Sequence, residues 1–436
     1  MRAYNHLLSR IYMLFFIAWR NLWRNKARSV LTISALSGGL FILIIYAALL
    51  EGMVKQMTEF STTISSGYLQ VHRQLFNDDQ DLYSTIPWNF IQALEQENKT
   101  LTFSPRLYAS GLASSGDVSV GAMIKAIDPV KEQQVTTMLE HIRSGNSNLG
   151  KVASHNSDFN QYYVIVGAQL ASNMKVKPGD EIVLITQAAD GSIGNGIFII
   201  SGILKPIEPN FDRTGILMSI EAYKELMILD SGAHEIAIGI PENSDLTSYK
   251  LQLEKSINTL STKYALSDSK DLIELRTWRE LMPAVSDMVE VSRAAIYILG
   301  LIMLGLASMG MLNTVMMSIY ERKHEFGILL SIGMGHYWLL LMVVFESLII
   351  TLISVVVGTL AGVAGAVYMQ NHGLDMSSYM PDGFDYGGII FEPIWRGHIN
   401  SSDIFICMIL TVVISLIASM IPSLRIIKMK PIEVLQ

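Results

Sequence analysis

The chain has 436 residues, half of them hydrophobic and only 16% charged, with a mean hydropathy of +0.36. Soluble domains carry about 25% charged residues. An ordinary soluble fold, a disordered chain, a collagen and a disulfide scaffold are therefore excluded. The 39 acids and 32 bases leave a net charge of −7. With no long basic tract, the balance argues against nucleic acid as a partner. The single cysteine, Cys407, forms no intrachain disulfide and leaves the redox compartment open.

Residues 1–28 read as a cytosolic amphipathic helix lying on the inner membrane face. Their apolar core is too short for a cleavable signal, and no small-residue cleavage site precedes the long apolar run. An ordinary cytosolic extension of the first span gives the same topology. Four later stretches reach the roughly 20 apolar residues that a bilayer requires. They cover residues 29–50, 294–320, 338–369 and 403–421. The third is longer than the lipid demands, so tilt or extension past the lipid is expected.

Basic residues orient the spans. Arg2, Arg10, Arg20, Arg24, Lys26 and Arg28 precede the first span without an acid. Arg322 and Lys323 lie in loop 321–337, and Arg425, Lys428 and Lys430 lie in the tail 422–436. Only Glu321, Glu325 and Glu433 oppose them in these segments. This side is expected to be cytoplasmic, with both termini inside. Segment 370–402 is then a short outside loop, and residues 51–293 form a large exterior insertion.

The insertion is long enough for its own core. Strand patterns fall at 67–72, 107–127, 163–166, 181–186, 197–203 and 234–240. Helical patterns fall at 89–98, 130–143, 220–229 and 246–264. The expected fold class is a four-helix α-helical membrane protein with a large α+β domain between its first and second spans. A subdomain division near residues 100–130 is a further expectation.

Catalytic signatures are missing. Gly145 to Val152 (GNSNLGKV) fits G-x-x-x-x-G-K, but Val152 stands where a magnesium-binding hydroxyl belongs. A surface loop is the reading. The nine histidines lack ligand spacing, so no metal site is expected. Glu346 lies about two turns into the third span, where a carboxylate is costly and marks function by default. Its shallow depth favours pairing with the basic loop over proton transport. Gly358 and Gly362 form GxxxG, continued by Ala366, a surface for close helix packing within the chain or across a dimer.

Loop 321–337 carries charges at Glu321, Arg322, Lys323 and Glu325, with Phe326, Leu329, Leu330 and Ile332 as an apolar side. A short amphipathic helix fits, ended by Gly333 or Gly335. It is either a lever for a cytosolic partner or a surface turn with interfacial charges.

These residues resemble the FtsX-like/MacB-type ABC transporter permeases, and among them the lipoprotein-releasing LolC/LolE branch. The similarity is carried by residues 18–30 (AWRNLWRNKARSV), and by Asn313, Glu321, Arg322, Glu325, Phe326, Gly327, Ile328, Leu329 and Gly333. Phe345 and Glu346 follow, then Pro422, Arg425, Pro431, Glu433 and Leu435. In the insertion, GYLQVH, SPRL, KAIDP, VGAQLA and VKPGDEIVL look like the LolE type. The resemblance implies a MacB-like periplasmic core and a bacterial inner-membrane location. It also implies a second permease subunit, in a homodimer or heterodimer, and separate ATPase subunits that use ATP and magnesium. The chain itself is expected to bind no cofactor and to have no enzymatic activity. Glu321, Arg322, Glu325, Phe326, Gly327 and Gly333 would form the coupling helix on which the ATPase docks. The mechanism implied is mechanotransmission, with lipoprotein or another lipid-anchored cargo passed from the inner membrane to a periplasmic carrier. Phe41, Ile45, Leu306 and Met309 would line an acyl-chain site among the membrane lipids. Two alternatives are a MacB-like efflux permease and an FtsX-like signalling subunit controlling a cell-wall hydrolase.

Overall fold

The structure is a computed structural model that describes residues 16–428, apart from positions 22, 25, 153–159, 207, 242–245, 265, 267–271, 381–383, 387–388 and 392. The expected roles of Arg2, Arg10, Lys430, Pro431, Glu433 and Leu435 lie outside the described residues. The chain divides into two compact units. The first comprises Met1–Lys55, Val289–Met376 and Ile394–Gln436, and the second comprises Gln56–Met288 and Ser377–Pro393.

Among the described residues, four helices are long and apolar enough to cross a membrane: Lys26–Ser65, Pro283–Glu321, His336–His372 and Ser401–Ile427. They are called here the first to fourth long helices. Each exceeds the apolar stretch that marks it in the sequence. Polar flanks continue the backbone hydrogen-bond ladder where hydropathy no longer signals it. The first ends in a π-helical turn, Phe60–Ser65, whose Ser61 carbonyl accepts the Ser66 N–H at 3.0 Å.

The second unit is built on a ten-stranded sheet. Its strands are β1 (Leu69–Arg73), β2 (Thr102–Ser115), β3 (Val118–Ile127), β4 (Ile142–Gly145) and β5 (Tyr162–Val166). They continue with β6 (Glu181–Gln187), β7 (Ile193–Leu204), β8 (Gly215–Ser219), β9 (Glu235–Gly239) and β10 (Ile273–Thr277). The order is β10-β1-β9-β2-β3-β8-β5-β7-β4, and β6 joins β2 to β7. Strands β2, β3, β8, β5, β7 and β6 therefore close a ring. Closure removes exposed edges from those six strands. Alternation shows best in β6, where Ile182, Leu184 and Thr186 are buried and Val183 and Ile185 are exposed. One core fills the ring with Leu107, Ile124, Val164, Phe198 and Tyr223. A second lies under β1 and β9 with Leu69, Phe90, Ile236 and Leu253.

The expected helix at 130–143 is three elements. Pro129–Val135 is helical, Met138–Glu140 is a 3-10 turn, and Ile142–Gly145 is β4. Thr136, with φ −132° and ψ 159°, breaks the helix. The expected division near 100–130 does not occur, because β2 runs through it and pairs with β9, β3 and β6. GNSNLGKV returns to the sheet through a Lys151–Tyr162 bridge instead of opening a helix, which is the geometry of a surface loop.

Arg106 organises the interior of this unit. It is 1% exposed and grips Glu132 through two nitrogens at 2.6 and 3.1 Å, and Glu235 at 2.7 Å. Ser104 and Thr136 hydroxyls each donate to Glu132 at 2.6 Å. Burial alone would push the Glu132 carboxyl up. The Arg106 and Lys125 charges and the hydrogen bonds outweigh it and hold the group at about 2. Glu132→Ala should destabilise this unit by about 3–5 kcal/mol, because the buried Arg106 guanidinium loses the partner of two of its three charge-assisted hydrogen bonds. Urea unfolding of the full chain in nanodiscs, followed by proteolysis, measures this.

Two buried imidazoles add an acid sensitivity. Burial lowers the pKa of both His72 and His234 from the ordinary 6.5. The Nδ1 of His234 accepts the Tyr108 N–H at 2.9 Å, so its proton sits on Nε2, which donates to the Leu82 carbonyl at 2.8 Å. The unfolded chain takes up these protons first, so stability should fall as pH drops below 6.5. A His72→Gln variant should show a shallower loss in thermal midpoint between pH 7 and 5.

Candidate functional site

The second long helix ends at Glu321, and Arg322 turns the chain into a nine-residue helix, Lys323–Ser331. Its end is a Schellman motif: the Gly333 N–H donates to the Leu330 carbonyl and the Met334 N–H to the Leu329 carbonyl, each at 3.0 Å. Gly333 has φ +97°, which favours glycine there. The third long helix follows from His336. Phe326 is fully buried, in a core that includes Leu36, Met311, Ile319, Leu339 and Ile426. The short helix is therefore held against the long helices by its apolar face.

Charge fixes the same element a second time. Arg322, with its side chain 9% exposed, donates to Glu346 and to Glu325, both at 3.0 Å, and its guanidinium lies 5.2 Å from the Phe326 ring centroid. Arg28 holds Glu321 through two hydrogen bonds, at 2.5 and 2.8 Å, and Arg24 reaches Glu325 at 2.9 Å. One turn past Arg28, the Thr32 and Thr314 hydroxyls meet at 2.8 Å. Burial pushes the Glu325 carboxyl up, but hydrogen bonds from Arg322 and Arg24 bring it below its ordinary range. Six charged side chains thus tie the short helix and its flanks to the third long helix, the first long helix and the residues just before it.

The six residues expected to contact an ATPase divide. Arg322, Phe326 and Gly327 are buried, while Glu321, Glu325 and Gly333 are exposed. The outward surface also includes Lys323, His324, Ile328 and Ile332. Ile332, placed by its sequence on the apolar inner side, is 79% exposed, and Ile328 is 44% exposed. Their i, i+4 spacing puts both on one outward face. Arg24 and Arg28 were readable only as general basic flank, yet both pair specifically across about 300 residues.

Gly358 and Gly362 pack within the chain. A Cβ on Gly358 would lie 2.9 Å from the Ser37 carbonyl oxygen, and one on Gly362 would lie 2.9 Å from the Ile44 Cβ. Phe41 and Ile45 approach Gly365 of the same helix. Leu306 and Met309 are 64% and 67% exposed on the second long helix, whose inner side meets the first through Ala307 at Gly39. Of the four residues expected to line an acyl site, Phe41 and Ile45 are half-buried and Leu306 and Met309 are exposed.

The two classes of ion pair should differ in strength. Arg322→Ala strands Glu346 and should cost about 3–5 kcal/mol. Arg24→Ala removes a pair that is half exposed on both sides and should cost about 1 kcal/mol or less. Thermal unfolding of both variants in nanodiscs distinguishes the two.

Two family descriptions match the sequence. The MacB-like periplasmic core domain covers residues 29–256, and the FtsX-like permease C-terminal region covers residues 297–431. The chain is 18% identical over 426 residues to a lipoprotein-releasing system transmembrane protein LolE from Haemophilus influenzae, covering 97% of this chain and 98% of that one. It is 20% identical over 446 residues to the LolC protein of the same system from Neisseria meningitidis, covering 95% of each. The crystal structure of the periplasmic region of MacB from Actinobacillus actinomycetemcomitans aligns with a TM-score of 0.34 and 12% identity, over 51% of this chain and 94% of that one. With a MacB-like core placed between the first two of four membrane helices and an FtsX-like region over the last three, the chain belongs to the FtsX-like/MacB-type family of ABC transporter permeases.

Proposed function

We propose that this permease extracts lipoproteins, or another lipid-anchored cargo, from the outer leaflet of a bacterial inner membrane and delivers them to a periplasmic carrier. The cargo class rests on similarity along nearly the whole chain to two lipoprotein-releasing proteins. Separate ATPase subunits, which bind the ATP and magnesium, dock from the cytoplasm on the Lys323–Ser331 helix. The observation that carries the coupling role is the ion-pair clamp around that helix.

The exposed Ile328 and Ile332 supply an apolar contact, and Lys323, His324 and Glu325 surround it with polar groups. Such a centre-and-rim pattern is common at interfaces. A displacement of the short helix cannot leave Glu346 behind, since parting Arg322 from it would leave that carboxylate unpaired in apolar surroundings. The partly exposed Arg28–Glu321 pair adds a weaker tie to the first long helix. A push from below is thus shared by three helices, and both termini lie on the cytoplasmic side by the distribution of basic residues. An acyl site would use Phe41, Ile45, Leu306 and Met309, apolar side chains of the first two long helices that are half-buried or exposed.

Ile332→Asp should lower ATPase copurification at least tenfold while leaving membrane insertion intact. Ser331→Cys, whose only native competitor is the buried Cys407, should react with an impermeant maleimide in inverted vesicles and not in spheroplasts. Labelling in spheroplasts would overturn the orientation. Mass spectrometry of nanodisc-purified complex should find acylated peptides; recovery of only a soluble hydrolase would replace the transport reading with signalling.

A further inference from the structure

The second unit contains a cavity of about 470 Å³, within the roughly 300–1,000 Å³ typical of small-molecule sites. Its walls are largely apolar: Phe76, Leu82, Tyr108, Met123, Met227 and Leu229. Neither the coupling helix nor the proposed cargo path uses it.

One side is a flap formed by residues 76–83. Phe76 stacks on His234 at 4.8 Å and on Tyr108 at 5.9 Å between ring centroids. The Leu82 carbonyl accepts from His234 at 2.8 Å, and the Tyr83 hydroxyl donates to the Ala189 carbonyl at 3.2 Å. The flap is thus pinned at three points, and the cavity is preformed. Preformed apolar walls limit the ordering cost of binding.

The polar lining selects the ligand. Asp81 is the one carboxylate among the lining residues, and no lysine, arginine or histidine joins it. Its Oδ1 accepts the Tyr83 N–H at 3.0 Å. A carboxylate has about four lone-pair sites, so this single bond leaves it able to receive a cation. Asp78 and Asp79 precede it on the flap, and the Tyr108 hydroxyl is engaged by Glu235 at 3.2 Å. Among the lining residues an anion would meet the Asp81 carboxylate and no basic side chain; Lys125, outside the lining, is 6.0 Å from the Tyr108 ring centroid.

We propose that this cavity binds a small organic cation with an aromatic or aliphatic body, of the arylalkylammonium class, its ammonium group facing Asp81. The inference is independent of the lipoprotein reading and of the coupling helix.

Three matched probes test it: 4-phenylbutylammonium, 4-phenylbutanol and 4-phenylbutyrate. Each is titrated against the full chain in nanodiscs, with empty nanodiscs subtracted, using saturation-transfer NMR. The cation should bind saturably and about fivefold or more tightly than the anion, a factor expected of a partly exposed ion pair. Asp81→Asn keeps the Oδ1 acceptor and should reduce the cation to the level of the alcohol. Ala189→Trp should fill the cavity and abolish binding of all three, with an unchanged thermal midpoint. The proposal is overturned if no probe binds beyond empty nanodiscs, if the anion equals the cation, or if Asp81→Asn retains the preference.

Discussion

The buried contact between Arg322 and Glu346 governs the arrangement of the membrane unit. A lone carboxylate two turns into an apolar helix, or a lone guanidinium beside it, would be strongly unfavourable. At 3.0 Å each satisfies the other, and Arg322 has a further donor for Glu325. Because the pair is worth little unless its geometry is kept, it fixes the register between the end of the second long helix and the start of the third. Arg24 and Arg28 then add the first helix through Glu325 and Glu321. The short helix is therefore not a loose loop decoration. It is the junction at which three helices are tied.

Further into the same unit, contact between helices is made by removing side chains. The glycines at 358 and 362 let the first helix approach until Ser37 and Ile44 occupy the space a Cβ would need. Polar ties at one end and small-residue packing along the helices suit a body that moves without changing its internal contacts. Without a hydrophobic driving force inside lipid, such packing and such hydrogen bonds are what hold helices together.

The second unit uses a related device for a different purpose. Arg106 on β2 joins Glu132, in the helix after β3, to Glu235 on β9. Three segments distant in sequence are thus pinned at one buried point, and the hydroxyls of Ser104 and Thr136 complete the Glu132 carboxylate. Closure of the six-stranded ring supplies the remaining rigidity. The outward surface of the short helix shows the opposite economy: Ile328 and Ile332 are left uncovered, although fully burying such side chains would be favourable by about 1.5–3 kcal/mol each.

Local pattern determined much of this protein. Hydropathy located four spans, period-two alternation located most strands of the insertion, and a glycine after an amphipathic run located the end of the short helix. The motif around residues 321–333 also marked the family. These features are legible because they depend on residues within one or two turns of each other. Long-range pairing decided the rest. Neither Arg24 nor Arg28 carries any local sign of its partner some 300 residues away, and nothing near Ile332 says that it faces outward. Strands β4, β8 and β10 take their places through neighbours supplied by other parts of the sheet. Phe41 and Leu306 looked alike as apolar residues of adjacent spans, yet Phe41 packs beside Gly365 while Leu306 is 64% exposed. Side-chain periodicity sets which residues share a face of one helix, but only packing against other helices sets where that face points.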